Sequence, residues 1–300
     1  MPQNIWIPFG YSVEGASHKR RGKVNQDAVN PFRGITTSDG KIQPSIIAVS
    51  DGHGGNKYIR SEIGSRIAVA FAARIATENW QISSKMRKDD LADVIRHIKS
   101  RFLLSWQKAV DEHFKKNNFN DEDKLFLKEN CSSKDYDALL NNPRLAYGCT
   151  FLCAIGYDDL VLILQLGDGD ILGLYPNDLV RELIKPDPRN IGNETLSLCS
   201  FREMNDVEDK PIIIAHEILI GDEIPELITL TTDGIKNSYN DQTSDIKAFY
   251  NIPVVIKNEL KKNDFNINEI KNPIEKWLEK VTTNGSGDDV TIGVLFRNVL

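Results

Sequence analysis

The sequence lacks the features that mark several protein classes. Its four cysteines, Cys131, Cys149, Cys153 and Cys199, form no CxxC pair and no zinc-ligand spacing, so no zinc site is expected. Cys149 and Cys153 flank a strand-like segment and look like small buried residues. No apolar run is long enough to span a bilayer. The N-terminal stretch, MPQNIWIPFG, has no basic region leading into an apolar core, so no signal peptide is expected. A reducing, cytoplasmic setting with no membrane partner follows as the expectation. Positive charge is not in excess: 37 Lys and Arg stand against 43 Asp and Glu, a net charge of −6. That balance gives no electrostatic reason to expect nucleic acid. No internal repeat or low-complexity segment is evident.

What is present centres on residues 45–55, SIIAVSDGHGG. Ile46, Ile47, Ala48 and Val49 form the apolar, β-branched run of a buried strand. It stops at Asp51-Gly52-His53-Gly54-Gly55, where glycine lets the backbone turn and come close to a bound group. A carboxylate and an imidazole thus sit at the tip of a rigid strand. Taken alone, the stretch is equally a tight turn containing an Asp. The arrangement recurs, however. LILQLGDGD ends a β-like run at Asp168, LITLTTDG ends another at Asp233, and TTNGSGDDVTIGVLF places Asp288 and Asp289 before a strand. Asp27, in KVNQDAV, precedes an apolar segment. Carboxylates gathered at one point repel unless a cation holds them. Oxygen ligands without paired Cys or His suit magnesium or manganese.

The motifs VNQDA, SDGHGG, YGCT…QLGDGD, TTDGI and GSGDDVT occur in the order and approximate spacing of the metal-dependent protein phosphatases of type 2C, or PPM type. The chain resembles a divergent, bacterial-like member over nearly its whole length. The resemblance implies one α+β domain over 1–300, a four-layer α-β-β-α sandwich of two antiparallel sheets flanked by helices. It implies hydrolysis of phosphoserine or phosphothreonine by water held on two Mn2+ or Mg2+ ions. Asp51 would bridge the ions. Asp27 and the Gly52 carbonyl would serve one, Asp233 and Asp288 the other, with Asp168 matching the holder of a third. His53 would protonate the leaving oxygen, with a pKa near neutrality. Asp289 occupies the family's Asn position, as a supporting residue. The implied partner is a phosphorylated protein, opposed to a Ser/Thr kinase, and the chain is expected to be a monomer.

The chain departs from the family pattern at four places. Gly22 stands where an arginine binds the substrate phosphate, so that role passes to Arg21, one residue away. Gln26 replaces a metal-contacting Glu, Gly169-Asp170 replaces Ser-Arg, and Asn237 replaces a further carboxylate. These departures keep open a reading as a catalytically weak or silent phosphoprotein-binding regulator. A nuclease-like metal hydrolase is a third, disfavoured by the acidic charge.

Between the motifs the sequence predicts an initial strand in 5–17 interrupted at Pro8, then a basic connection, HKRRGK. Ile59, Ile63, Ile67, Phe71 and Ile75 predict a helix after Gly55, with Asn56 as cap. A second helix is expected over 90–114, with Leu91, Val94, Ile98, Phe102, Trp106 and Val110 inward. Residues 115–144 read as a polar, exposed excursion with short helical turns. From Tyr147 a β meander follows, then a flap over 185–210 beside the cleft. His216 reads as a structural residue in an apolar strand. Helices are expected over 253–262 and 273–282. The latter would have Asn272 as cap, Pro273 in the first turn, and Ile274, Trp277, Leu278 and Val281 inward. A last strand is expected over 290–296.

Overall fold

Strands that are apolar on both faces must be covered twice, and the chain achieves this by stacking two sheets. The computed structural model describes residues 6–35, 43–78, 82–83, 85–185, 187, 195–200, 214–239 and 245–297. One sheet has the order β1 (Trp6–Val13), β10 (Val290–Arg297), β9 (Leu227–Thr231), β6 (Asp170–Tyr175), β7 (Leu179–Glu182). The other has the order β2 (Ala28–Phe32), β3 (Ser45–Ser50), β4 (Phe151–Tyr157), β5 (Leu160–Leu166), β8 (Ala215–Ile220). Neighbouring strands are antiparallel throughout.

In β3 the pleat sends Ile47 and Val49 between the sheets, where they meet Leu152, Ile163, Ile228, Leu230 and Leu295. Ile46 and Ala48 point outward into a second cluster with helices α2 (Ser61–Glu78) and α3 (Lys88–Lys116). On the far side, Ile7, Phe9, Ile292, Val294 and Phe296 pack under α8 (Ile252–Lys262) and α9 (Ile267–Asn284). The result is the expected α-β-β-α sandwich.

Several local expectations are corrected. Strand β1 runs through Pro8 without interruption. It lies at a sheet edge, where a residue without an N–H is tolerated. Asn56 does not cap α2, which begins five residues later; its side chain donates to the Asn130 carbonyl (3.0 Å). Helix α9 begins at Ile267 with Asn266 as cap, so Pro273 lies inside it rather than at its start. Burial of Ile270, Ile274, Leu278 and Val281 on one face outweighs the lost backbone bond. Trp277 is only half-buried. The β run after Tyr147 is not one meander: β4 and β5 belong to one sheet, β6 and β7 to the other, and 167–169 cross between them. His216 is exposed on strand β8, its Nδ1 3.0 Å from the buried Lys99 Nζ.

The isoleucine stripe is likewise only half-buried at Ile63 and Ile67, and Ile59, also half-buried, lies before α2 begins. The face turned fully inward carries Ser61, Gly64, Ser65, Ala68, Val69 and Ala72. Small residues bring this helix close to its neighbours, and Gly64 is the tightest point. A Cβ there would lie 2.0 Å from the Tyr147 carbonyl oxygen. In an ordinary helix Gly→Ala stabilises by about 0.5–1 kcal/mol. Here Gly64→Ala is expected to destabilise by about 1–3 kcal/mol, because backbone must shift to admit the methyl. The urea midpoint should fall; a rise would show that the contact is not limiting.

The excursion 115–144 is more ordered than its polarity suggests. It forms α4 (Asp121–Asn130), with a capping box between Asn120 and Asp123, and α5 (Ser133–Asn141), capped by Ser132. Arg60 anchors it from the start of α2. Its guanidinium donates to the Asn117 and Asn118 carbonyls, to Asp123 (3.0 Å) and to the Tyr147 hydroxyl (3.0 Å). It also lies over the Phe119 ring at 4.9 Å. Much of the predicted flap, 186, 188–194 and 201–210, lies outside the described residues. Leu198 and Cys199, within it, are buried.

Candidate active site

The strand registers bring every predicted carboxylate to one end of the sandwich. Ala28 pairs with Ser50, so Asp27 and Asp51 lie side by side beyond the ends of β2 and β3. Phe151 pairs with Leu166, which puts the Gly167–Asp168 crossover at the same end. In the other sheet Thr231 pairs with both Asp170 and Ile292. Asp233, which opens helix α6 (Asp233–Lys236), therefore emerges there too, beside the loop of Asp288 and Asp289. Asp27 forms the floor, with its residue 5% exposed. Asp51 and Asp233 are half-buried, while Asp168 and Asp288 stand at the open rim.

Backbone and hydroxyl contacts hold this arrangement in place. The Asp51 N–H donates to Thr150 Oγ1 (2.9 Å), and the Thr150 N–H donates back to the Asp51 carbonyl (2.8 Å). Thr232 Oγ1 donates to Asp27 Oδ2 (2.8 Å), and Asn237 Nδ2 to Asp233 Oδ2 (2.9 Å). Gly52 is pinched: its N–H donates to the Gln26 carbonyl (3.1 Å), and a Cβ would meet that oxygen at 2.7 Å and Ser61 backbone at 2.9 Å. Thr195 Oγ1 donates to Asp168 Oδ2 (2.7 Å), tying the start of the 195–200 segment to the rim.

The electrostatics are those of a site built for positive charge. Burial pushes the Asp51 carboxyl well above the usual range, and the charges of Asp27, Asp233 and Asp288 push it further. Asp27 is raised well above it by burial and then by Asp289 and Asp233, against hydroxyl bonds that lower it. Asp233 is raised by burial, then by Asp168 and Asp288. Asp27 Oδ1 and Gln26 Oε1 are buried without hydrogen-bond partners. A buried carboxylate oxygen with no donor, among like charges that raise one another, fits a hard divalent cation.

His53 departs from expectation. Burial lowers its pKa to about 4, an effect the Asp168 charge opposes. It is therefore neutral at pH 7, not poised near neutrality. Its backbone N–H donates to the Gly148 carbonyl (3.1 Å), its ring packs on Tyr58 at 4.8 Å, and Nε2 is buried without a partner. Arg21 is exposed in the last turn of α1 (Ala16–Arg21) and makes no ion pair among the described residues. The basic connection is thus a short helix.

Further residues complete the site, among which the sequence marked Asp289 as a supporting residue. Asp289 Oδ1 accepts from the Gly15 N–H (2.6 Å), and its Oδ2 from the Gln26 N–H (2.7 Å) and His18 Nδ1 (3.0 Å). It ties the segment before Asp27 to the segment that carries Asp288. Thr150 stood inside a quoted motif. His18 looked like part of a charged turn because its partners lie some 270 residues away.

The family model described as Protein phosphatase 2C matches residues 14–279. The chain belongs to that family, which places it among the phosphoprotein phosphatases. No curated protein matches the sequence significantly. Among solved structures, a bacterial serine phosphatase aligns with TM-score 0.52 at 14% identity, over 97% of each chain. The serine/threonine phosphatase Stp1 of Staphylococcus aureus aligns with TM-score 0.52 at 14% identity, over 99% of this chain and 97% of that one. The serine/threonine phosphatase PstP/Ppp of Mycobacterium tuberculosis aligns with TM-score 0.52 at 12% identity, over 97% of this chain and 98% of that one. At these identities the likeness is one of fold.

Proposed function

We propose that the chain is a single phosphatase domain that hydrolyses phosphoserine and phosphothreonine on proteins at a site for two divalent cations, opposing a kinase. The observation that carries this reading is the convergence of Asp27, Asp51, Asp233 and Asp288 from four strand ends, with Asp27 Oδ1 buried and unpartnered. Asp51, between the others, would contact both ions. Asp27 and the Gly52 carbonyl would hold one, Asp233 and Asp288 the other, and Asp168 a third at the rim. Manganese or magnesium there would lower the pKa of water and neutralise the phosphoryl oxygens.

The chain's own residues do the rest. Thr232 holds the Asp27 carboxylate, and Thr150 holds the backbone of Asp51. His53 is neutral and half-buried, with Nε2 unpartnered; an arriving phosphate dianion would raise its pKa, and it would then hold the proton for the leaving oxygen. Arg21 supplies a cation for the phosphate from the rim. Gln26, with a free neutral oxygen in place of a charged one, weakens the hold on one ion.

Release of phosphate from a phosphoserine peptide, and p-nitrophenyl phosphate turnover, should require manganese or magnesium and vanish in EDTA. Asp233→Asn should lower turnover at least about a hundredfold, some 2.7 kcal/mol at 1.36 kcal/mol per decade. Arg21 is exposed and makes no ion pair among the described residues, which favours a second reading, a regulator that binds phosphoproteins without turnover. Phosphopeptide binding with no metal-dependent release would establish that reading instead.

A further inference from the structure

His18 is buried, although three cations follow it in sequence. Its ring lies between two neighbouring carboxylates. Nδ1 faces Asp289 Oδ2 at 3.0 Å, and Nε2 faces Asp288 Oδ1 at 3.5 Å. The two carboxylates differ in kind. Asp289 is buried and its oxygens already accept from the Gly15 and Gln26 amides. The group is therefore a hydrogen-bonded tie, not an additional cation site. Asp288 is different: its side chain is 53% exposed, and a free carboxylate at a rim samples several rotamers. Its Oδ1 accepts from the Asp289 N–H (2.9 Å) and faces His18 Nε2. The hydrogen bond from the Asp289 N–H and the 3.5 Å approach of the His18 ring both bear on Oδ1 and not on Oδ2.

We propose that His18 is a positioning residue, which holds Asp288 in the rotamer that presents Oδ2 to a divalent cation. This rests on the reading of Asp288 as a metal ligand given above. Partners that orient a ligating carboxylate contribute to metal affinity without touching the ion, typically about 10–100-fold. The main chain here does not depend on the imidazole. The Ala16 N–H donates to Thr282 Oγ1 (2.9 Å), the Ser17 N–H to the Gly287 carbonyl (2.8 Å), and Thr282 Oγ1 to the Asp288 carbonyl (2.7 Å). The loop that carries Asp288 is thus held to α1 and α9 by contacts that survive loss of the His18 ring.

The test is manganese binding to the EDTA-stripped chain, followed by calorimetry, with three variants. His18→Ala is expected to weaken manganese binding about tenfold. His18→Gln places an amide N–H where Nε2 stands, and is expected to recover most of that loss. His18→Asn places its amide where Nδ1 stands, restores only the Asp289 contact, and is expected to bind manganese as weakly as His18→Ala. Binding within twofold of the parent in His18→Ala overturns the inference. So does rescue by His18→Asn equal to that by His18→Gln, which assigns the residue to Asp289 and the fold. A parent chain that binds no manganese overturns the metal-site reading itself, and the inference with it.

Discussion

Asp51→Asn is expected to lose activity and to gain stability in the metal-free state. Both effects have one cause. Asp51 is the carboxylate whose pKa answers to burial and then to Asp27, Asp233 and Asp288 together. A position exposed to all the other ligands is the one able to contact two cations. In the proposed site its neutral replacement would remove a charge shared by both ions, and turnover of p-nitrophenyl phosphate with manganese should fall by about a thousandfold, some 4 kcal/mol at 1.36 kcal/mol per decade. In EDTA, the same replacement removes one member of a group of repelling carboxylates. The melting temperature should then rise, by about 2–4 °C for each kcal/mol relieved. Loss of activity with an unchanged or lower melting temperature in EDTA would mean that the carboxylates do not repel as the geometry requires.

The second large effect is a dependence of stability on pH and metal. Asp27, Asp51 and Asp233 have raised native pKa values. Below about pH 4, the unfolded carboxyl value, they are protonated in both states and the site carries no repulsion. As pH rises through the raised values, the folded state holds protons that the unfolded state has released, so stability falls. His53 acts in the opposite direction. With a native pKa of about 4 against 6.5 when unfolded, it lets stability rise between those values. Above pH 6.5 the imidazole contribution is complete, so it no longer opposes the decline that the raised carboxyl values cause. Manganese reverses the decline, because a ligand at one hundred times its Kd stabilises by about 2.7 kcal/mol. The gap between melts in manganese and in EDTA should therefore widen from pH 5 to pH 8. A gap that narrows as pH rises would contradict a carboxylate site.

Much of this was legible because the chemistry is punctuated. An apolar run that stops at Asp-Gly marks a strand end whichever sheet it joins, so Asp51, Asp168 and Asp233 are legible in the sequence, and the registers carry them to one end of the sandwich with Asp27 and Asp288. Sheet membership was not legible, since the turn after β5 reads the same whether the next strand folds back or crosses over. The buried face of α2 is not legible from its large residues, because at a close approach the small ones are buried, and Gly64 marks the contact. Polarity hid α4 and α5, which are held by caps and by Arg60 rather than by a broad apolar face. His18 and Asp289 were missed or underrated because their contacts join the two ends of the chain. The pKa of His53 is a matter of burial by Tyr58 and Gly148, which a motif does not display.

Crystals soaked in manganese and measured at the manganese absorption edge test the central claim most directly. Two strong anomalous peaks should lie on either side of Asp51, in direct contact with carboxylate oxygens, one toward Asp27 and the Gly52 carbonyl, the other toward Asp233 and Asp288. Peaks only at surface carboxylates away from Asp51, or none, would contradict it.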